Sequence, residues 1–180
     1  MASHPAVFLD RDGTLIEEKG YIDLPSAVAF YSYTFKALKN LQQHFLLFII
    51  SNQSGISKGI VTQRDVEAVN RYIVEQCRAN GVVIYDTFYC PHRTEGNCIC
   101  KKPSPYFINL AAGRYHIDLS RSFMIGDHPS DAACGINAGV TSIYLMSGHG
   151  RKHYTELKSN VQVCGNIWEA SHYILKTIDK

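Results

Sequence analysis

Two carboxylates near the amino terminus have the spacing of a metal-dependent nucleophilic site. Asp10 and Asp12 lie in the run FLDRDGT, directly after a short apolar segment that predicts a β-strand. Side chains at positions i and i+2 of an extended chain point the same way, so the two like charges are held close together. A divalent cation would offset that repulsion and leave one carboxylate to act as a nucleophile. The alternative for these residue types alone is an acidic surface turn.

Three further segments place candidate groups at the ends of predicted strands, where open α/β sheets bind ligands. The run 51–55 (SNQSG) offers a hydroxyl and backbone N–H groups suited to a phosphate oxygen. Lys102 could neutralise charge that develops on a transferring phosphoryl group. Asp127 could join Asp10 on Mg²⁺, which prefers oxygen ligands. Asp131 is expected to cap the following helix or to lie behind the metal ligands.

A cysteine cluster predicts a second, structural metal site. Cys90, His92, Cys98 and Cys100 supply three thiolates and an imidazole, a closed tetrahedral set typical of structural Zn²⁺. We call residues 90–100 the zinc loop, and we expect the metal to hold its polar residues and the lysines that follow. The alternative is two cysteine pairs that lie near a histidine by chance. The isolated cysteines are predicted to be buried apolar residues: Cys77, Cys134 and Cys164.

Composition favours a small globular enzyme. The chain has 180 residues, enough for one domain with a full core, and we expect a single domain over 1–180. A net charge of +2 with scattered Lys and Arg argues against a dedicated nucleic-acid surface. No signal peptide or membrane-spanning run is evident, which predicts a cytoplasmic protein with no membrane partner. The lack of heptads or an interface stripe predicts a monomer.

Apolar segments with strand character alternate with segments of helical periodicity. Strands are predicted at 7–9, 46–50, 82–89, 122–125, 142–146 and 161–164, and helices at 35–45, 62–81, 105–115, 130–138 and 167–178. This alternation predicts an α/β, mostly parallel sheet with helices on both faces. The gap between the first two chemical segments is too short for a helical cap domain. We therefore expect an open active site walled by residues 16–33 and the zinc loop.

The four chemical segments, in this order, resemble the motifs of the haloacid dehalogenase-like phosphohydrolase superfamily. The matching residues are Asp10-Arg11-Asp12-Gly13-Thr14, Ser51, Lys102, and Gly126-Asp127 with Asp131. The resemblance implies a phosphatase with a Rossmann-like fold, a Mg²⁺ cofactor and an aspartyl-phosphate intermediate. It implies that Asp10 is the nucleophile, that Asp12 is the general acid and base, and that Ser51 and Lys102 stabilise the phosphoryl oxygens. Mg²⁺ would be held by Asp10, the backbone carbonyl of Asp12, and Asp127.

The zinc loop narrows the resemblance to one branch of that superfamily. This branch contains the D-glycero-D-manno-heptose 1,7-bisphosphate 7-phosphatases, which act on an ADP-heptose and lipopolysaccharide precursor, and the histidinol-phosphate phosphatases. The heptose enzymes fit better, and they imply a phosphorylated sugar substrate. The implied substrate-binding residues are Glu18, Lys19, Gly20, Tyr21, Asn52, Gln53, Ser54, Lys101 and His128. Lys101 stands where the family usually has Arg, and His128 where the heptose enzymes often carry Lys, so both departures bear on substrate and anomer preference.

Three alternatives to a heptose bisphosphatase remain open from the sequence. A histidinol-phosphate phosphatase would perform the same chemistry on another small phosphate ester. A polynucleotide 3′-phosphatase shares the DxDGT and SNQxG segments, but it needs a basic groove with stacking aromatic residues. A catalytically silent zinc module is the third, and the intact set of Asp10, Asp12, Lys102 and Asp127 argues against it.

Overall fold

The computed structural model describes residues 3–93, 98–158 and 160–178, which fold around a six-stranded parallel sheet. The strands are β1 Ala6–Leu9, β2 Leu46–Asn52, β3 Ile84–Cys90, β4 Phe123–Gly126, β5 Thr141–Leu145 and β6 Gln162–Cys164. Their order across the sheet is β3-β2-β1-β4-β5-β6, so the direction of winding reverses between β1 and β4. The predicted Rossmann-like fold is confirmed, and ligands bind such sheets at this reversal point.

Helices cover both faces of the sheet. Within the described residues they are α1 Thr34–Leu41, α2 Gln63–Ala79, α3 Tyr106–Tyr115, α4 Pro129–Ala138, α5 Gly150–His153 and α6 Ile167–Ile178, and short 3₁₀ turns cover Pro25–Ala27, Leu119–Arg121 and Tyr154–Glu156. Val7 and Leu9 of β1 pack in a core with α1, α2 and α6, whereas Ala6 and Phe8 pack in a second core with α3 and α4. Because strand side chains alternate, β1 is buried on both faces.

The helix boundaries follow from local capping chemistry. Thr62 and Asp65 form a capping box at the start of α2, and Gly81 lies just beyond its end with a φ of +73°. The prediction that the first helix reaches residue 45 was wrong, because α1 ends at Leu41. At this point Gln42 Nε2 donates to the Gly81 carbonyl, and Gln42 Oε1 accepts a hydrogen bond from the Val83 N–H group. These two hydrogen bonds tie the end of α1 to the start of β3.

Two connecting segments surround the carboxyl ends of the strands in place of a cap domain. The segment 10–33 folds back on itself, since Ile16 pairs with Phe30 in an isolated antiparallel bridge. The zinc loop follows β3, and its residues 94–97 lie outside the described residues, as do residues 1–2 and 179–180 of the predicted domain. The expected absence of a large cap is confirmed for the described residues. None of the described helices is long and apolar enough to cross a membrane.

Candidate active site

Three carboxylates meet at the carboxyl ends of β1 and β4, which are neighbours in the sheet. Asp10 follows β1, Asp127 follows β4, and Asp131 lies in the first turn of α4. Register places Leu9 beside Ile125, so the chain leaves both strands at the same level. Carboxylate oxygens of the three residues lie within 4.8 Å of one another, and all three residues are buried.

Lys102 is the cation inside this carboxylate cluster. Its Nζ atom lies 2.6 Å from Asp10 Oδ1 and 2.6 Å from Asp131 Oδ1, and it donates to the Ile50 carbonyl at 2.9 Å. Burial alone would lower the pKa of Lys102, but the two carboxylates raise it above its ordinary value. The lysine is therefore charged, and it lies against Asp10, the predicted nucleophile.

Asn52 fixes the backbone from which Lys102 projects. The Lys102 N–H group donates to Asn52 Oδ1 at 3.0 Å, and Asn52 Nδ2 donates to the Lys102 carbonyl at 3.2 Å. This reciprocal pair joins the end of β2 to a segment that lies 50 residues further along the chain. Asn52 lines the cleft, where a substrate-binding residue was predicted, and it also positions Lys102.

The carboxylate cluster carries more negative charge than Lys102 can balance. Burial raises the pKa of Asp10 to about 7 against the opposing effect of Lys102. Burial, together with repulsion from Asp10 and Asp131, raises the pKa of Asp127 to about 9. Three carboxylates and one ammonium leave an excess of negative charge, which a divalent cation would offset. The hard oxygen atoms of the carboxylates suit Mg²⁺. The residues present therefore fit the predicted metal.

Asp131 has both of its oxygens occupied by protein groups. Oδ1 pairs with Lys102, and Oδ2 accepts a hydrogen bond from the His128 N–H group at 3.0 Å as part of a capping box. Asp131 therefore caps α4, which is one of the two sequence expectations for it. It also pairs with Lys102 beside the predicted metal ligands, and its role behind those ligands stays a prediction. Asp10 and Asp127 are left as the carboxylates best placed to bind a metal.

Two glycines leave room for the Asp127 carboxylate. Gly13 and Gly148 have φ values of +79° and +49°, and a Cβ atom built on either would overlap Asp127 Oδ2. The same oxygen accepts a hydrogen bond from the His149 N–H group at 2.7 Å. Ser147 also donates to the Gly13 carbonyl, so the segment after β5 is fastened over the motif that follows β1. No sequence pattern predicted a role for the segment after β5.

Asp12 is held by side chains that the sequence analysis did not connect with it. Arg11 Nε lies 2.9 Å from Asp12 Oδ2, and Arg11 Nη2 lies 3.1 Å from Asp12 Oδ1. Gln53, predicted as a substrate-binding residue, donates from Nε2 to Asp12 Oδ2 at 3.0 Å. Both oxygens of the predicted acid and base are thereby oriented before substrate binds.

Ser51 offers a hydroxyl that the protein leaves available. The residue is 1% exposed, and its Oγ atom has no hydrogen-bond partner among the described residues. A buried hydroxyl without a partner carries a cost of about 1–3 kcal/mol. A phosphoryl oxygen would satisfy it, which is the role that the resemblance implied for Ser51.

The predicted substrate-binding residues surround a cleft of about 670 Å³ above the carboxylates. Those that line it are Glu18, Gly20, Tyr21, Asn52, Gln53, Ser54, Lys101 and His128. Lys19 is absent from the lining, because its Nζ atom lies 3.5 Å from Glu17 and 3.4 Å from the Ala27 carbonyl. Ser130 and His149 line the cleft without having been predicted.

His128 does not replace the charge of the lysine that the heptose enzymes often carry there. Burial lowers the pKa of its imidazole, so the ring is neutral near pH 7. Its Nδ1 atom lies 2.9 Å from Ser130 Oγ and accepts from the Ser130 N–H group at the start of α4. The residue serves as a helix cap with one face toward the cleft.

The four predicted zinc ligands converge on one point beside the cleft. Distances between the ligand atoms of Cys90, His92, Cys98 and Cys100 run from 3.2 to 3.5 Å over five pairs, with His92 contributing Nδ1. A tetrahedron with metal–sulfur distances of about 2.3 Å has edges of about 3.8 Å. Burial raises the pKa of the Cys90 and Cys100 thiols and so disfavours their thiolate forms. A bound cation would stabilise those thiolates. These residues fit a structural zinc ion.

Comparison with known proteins gives concordant matches. Residues 99–170 match the Hydrolase_like family model, described as HAD-hydrolase-like. The D-glycero-beta-D-manno-heptose-1,7-bisphosphate 7-phosphatase of Helicobacter pylori (strain ATCC 700392 / 26695) is 38% identical over 148 residues, 81% of this chain and 86% of that protein. The D-glycero-alpha-D-manno-heptose-1,7-bisphosphate 7-phosphatase of Photorhabdus laumondii subsp. laumondii is 31% identical over 179 residues, 93% of this chain and 94% of that protein.

A solved structure extends the match to the fold. The D,D-heptose 1,7-bisphosphate phosphatase of B. bronchiseptica, complexed with magnesium and phosphate, has a TM-score of 0.88 and 25% sequence identity. The alignment covers 96% of this chain and 99% of that chain. The parallel fold and the carboxylate–lysine site thus define a haloacid dehalogenase-like hydrolase. The chain belongs to the haloacid dehalogenase-like phosphatase family, and it is a phosphatase.

Proposed function

We propose that this phosphatase removes the 7-phosphate of a D-glycero-D-manno-heptose 1,7-bisphosphate. The observation that carries the proposal is the buried set of Asp10, Lys102 and Asp127 at the floor of a cleft large enough for a phosphorylated sugar. Two relatives that are named for this activity match this chain over most of their own length. Their names specify different anomers at C1, so the anomer that this enzyme prefers is part of the test.

The proposed reaction proceeds in two steps at Asp10. A carboxylate oxygen of Asp10 attacks the phosphorus atom, the bond from phosphorus to the sugar oxygen breaks, and Asp12 donates a proton to that oxygen. Asp12 then removes a proton from water, which attacks the aspartyl phosphate and releases inorganic phosphate with Asp10 restored. Lys102 and Ser51 stabilise the equatorial phosphoryl oxygens during both steps.

We propose two metal ions with separate roles. Asp10, the backbone carbonyl of Asp12, and Asp127 would hold Mg²⁺, which when bound neutralises phosphoryl charge. Zn²⁺ would be held by Cys90, His92, Cys98 and Cys100 and would order the zinc loop. With no open ligand position, the second ion takes no part in the reaction.

A second phosphate on the substrate needs cationic groups away from the metal. Lys58 Nζ lies 2.7 Å from the Tyr21 hydroxyl, and Lys58 and Lys101 both help to lower the pKa of that tyrosine. Lys101 thus lines the cleft together with Tyr21, and Lys58 is held at the hydroxyl of that tyrosine. This arrangement supports a bisphosphate over a monophosphate. A monomeric state and a cytoplasmic location stay predictions.

A substrate panel with purified protein and Mg²⁺ tests the proposal. It contains both anomers of the heptose 1,7-bisphosphate, histidinol phosphate, a 3′-phosphorylated oligonucleotide and p-nitrophenyl phosphate. We expect a heptose bisphosphate to give the highest kcat/KM, with loss of the 7-phosphate. Preference for histidinol phosphate or the oligonucleotide would contradict the substrate assignment.

Asp10→Asn is the control for the chemistry. An amide keeps the shape of the carboxylate but cannot form the acyl phosphate, so we expect no turnover of any member of the panel. The variant should fold, because the change removes one of the buried charges that repel one another. Turnover near that of the wild type would contradict the assignment of Asp10 as nucleophile.

A further inference from the structure

Asn70 is a polar residue on the buried face of α2. Its neighbours on that face are apolar, and the residue is 7% exposed. Burying an amide without a partner costs about 1–3 kcal/mol, so its hydrogen bonds explain its presence. Asn70 Oδ1 accepts from Arg11 Nη1 at 2.8 Å, a contact between residues 59 positions apart. The amide thus joins α2 to the catalytic motif after β1.

Arg11 is the largest fully buried side chain among the described residues, with 1% exposure. Its guanidinium uses three nitrogen atoms on two partners. Nη1 donates to Asn70, while Nε and Nη2 donate to the two oxygens of Asp12. A planar, rigid fork of this kind fixes the plane of a carboxylate as well as its distance, which an ammonium does not.

The structure also distinguishes the two oxygens of Asp12. Oδ2 accepts from both Arg11 Nε and Gln53 Nε2, at 2.9 and 3.0 Å, whereas Oδ1 has the longer contact of 3.1 Å with Arg11 Nη2. The Arg11 guanidinium and the Gln53 amide together hold Oδ2 more closely than Oδ1.

We propose that Arg11 and Asn70 are positioning residues for the general acid Asp12. The inference rests on the reaction proposed above, in which Asp12 protonates the leaving oxygen. Asp12 lies in the loop beyond β1, where its backbone pairs with Ile16 in one isolated bridge and its carboxyl is held by side chains. Asn70 lies on a helix of five turns whose apolar face is packed in the core. The helix thus sets the orientation of the Asp12 carboxyl through one buried guanidinium, without touching the substrate.

Leaving-group dependence tests the proposal. An alkyl phosphate needs a proton on its leaving oxygen, whereas p-nitrophenolate leaves without one. The parameter kcat/KM reports the steps up to departure of the leaving group and excludes hydrolysis of the phospho-enzyme. For Asn70→Ala we expect kcat/KM to fall about tenfold or more on the fastest alkyl phosphate of the panel, part of the 10²–10⁴-fold typical of acid–base catalysis. On p-nitrophenyl phosphate it should change less than about twofold.

Matched variants separate positioning from packing. Cys77→Ala alters the same buried face of α2 two turns away, and it should leave the ratio of the two kcat/KM values unchanged. Asn70→Asp retains an oxygen acceptor of the same shape and should keep the ratio near that of the wild type. If Asn70→Ala does not fold, Arg11→Lys decides, because it keeps the charge, loses the fork and is expected to shift the ratio in the same direction.

Equal losses on both substrates in Asn70→Ala, or no loss on either, would overturn the inference. That result with an inactive Asp10→Asn variant contradicts the positioning role alone. Turnover by Asp10→Asn contradicts the proposed function instead, so the two failures are distinguishable.

Discussion

Two adjacent lysines differ in burial, and the proposed function gives them different tasks. Lys102 is buried on Asp10 and Asp131, whereas Lys101 is half-buried and lines the cleft near Tyr21. In the proposed reaction, the charge held between two carboxylates serves the reacting phosphoryl group. A charge on the wall of the cleft can meet another part of the substrate. The sequence alone does not distinguish the two roles, because the lysines are adjacent and precede the same proline.

Lys101→Ala should weaken selectivity for the bisphosphate. We expect kcat/KM for the heptose bisphosphate to fall by roughly 1.5–3 kcal/mol, the range for a charged hydrogen bond, with a far smaller loss for p-nitrophenyl phosphate. Steady-state kinetics on both substrates measure the difference. Lys176→Ala removes the same charge from the exposed last turn of α6 and should alter neither. Equal losses on both substrates would place Lys101 at the reacting phosphate.

At the scale of elements, the end of β3 and the zinc loop act as one unit. Cys90 is the last residue of β3, and Cys100 immediately precedes the two lysines. The Gln53 N–H group donates to the Cys90 carbonyl at 2.7 Å, which links the zinc ligands to the segment that follows β2. Metal at this cluster would therefore fix two walls of the cleft at once.

Cys98→Ser should remove zinc and loosen the cleft while sparing the sheet. We expect elemental analysis to give one zinc per chain in the wild type and none in the variant, because a serine hydroxyl is a poor zinc ligand. KM should rise more than kcat falls. Cys164→Ser, which alters a buried cysteine of β6, should keep its zinc. Wild-type protein purified without chelator and free of zinc would contradict the assignment.

For the whole molecule, the buried carboxylates couple stability to pH and to metal. In the metal-free protein the folded state holds protons on Asp10 and Asp127 up to pH values of about 7 and 9, whereas the unfolded chain releases them near pH 3.8. The raised pKa values mean that the folded state binds more protons, so stability falls as pH rises through this window. Bound Mg²⁺ would take the place of those protons.

The increase in Tm caused by Mg²⁺ should therefore grow with pH. We expect a small increase at about pH 5, where protons compete with the metal, and a larger one at about pH 8. Thermal melts with Mg²⁺ and with a chelator measure it. Asp10→Asn should reduce the dependence on pH, because one of the titrating groups is gone. An increase that is the same at both pH values would contradict the account.

The sequence predicted the sheet and the meeting of the candidate metal ligands in two clusters, because these depend on short-range patterns. Continuous apolar runs mark strands buried on both faces, and ligands at strand ends share one edge of a parallel sheet. The contact between Arg11 and Asn70 has no such signal, since it spans two elements and depends on which face of α2 turns inward. The approach of Gly148 to Asp127 likewise arises only from the folded path of the chain.

The hydrogen bond from Ser147 to the Gly13 carbonyl spans 134 residues of sequence. After a ribosome has synthesised β1, β2 and β3, the nascent chain contains Asp10 but neither Asp127 nor the segment that closes over the motif after β1. Because contacts of such long range form only after the intervening chain can close the loop, the site assembles late. A fragment from translation that stops before residue 127 would contain Asp10 but would lack both Asp127 and the segment that is fastened over the motif after β1.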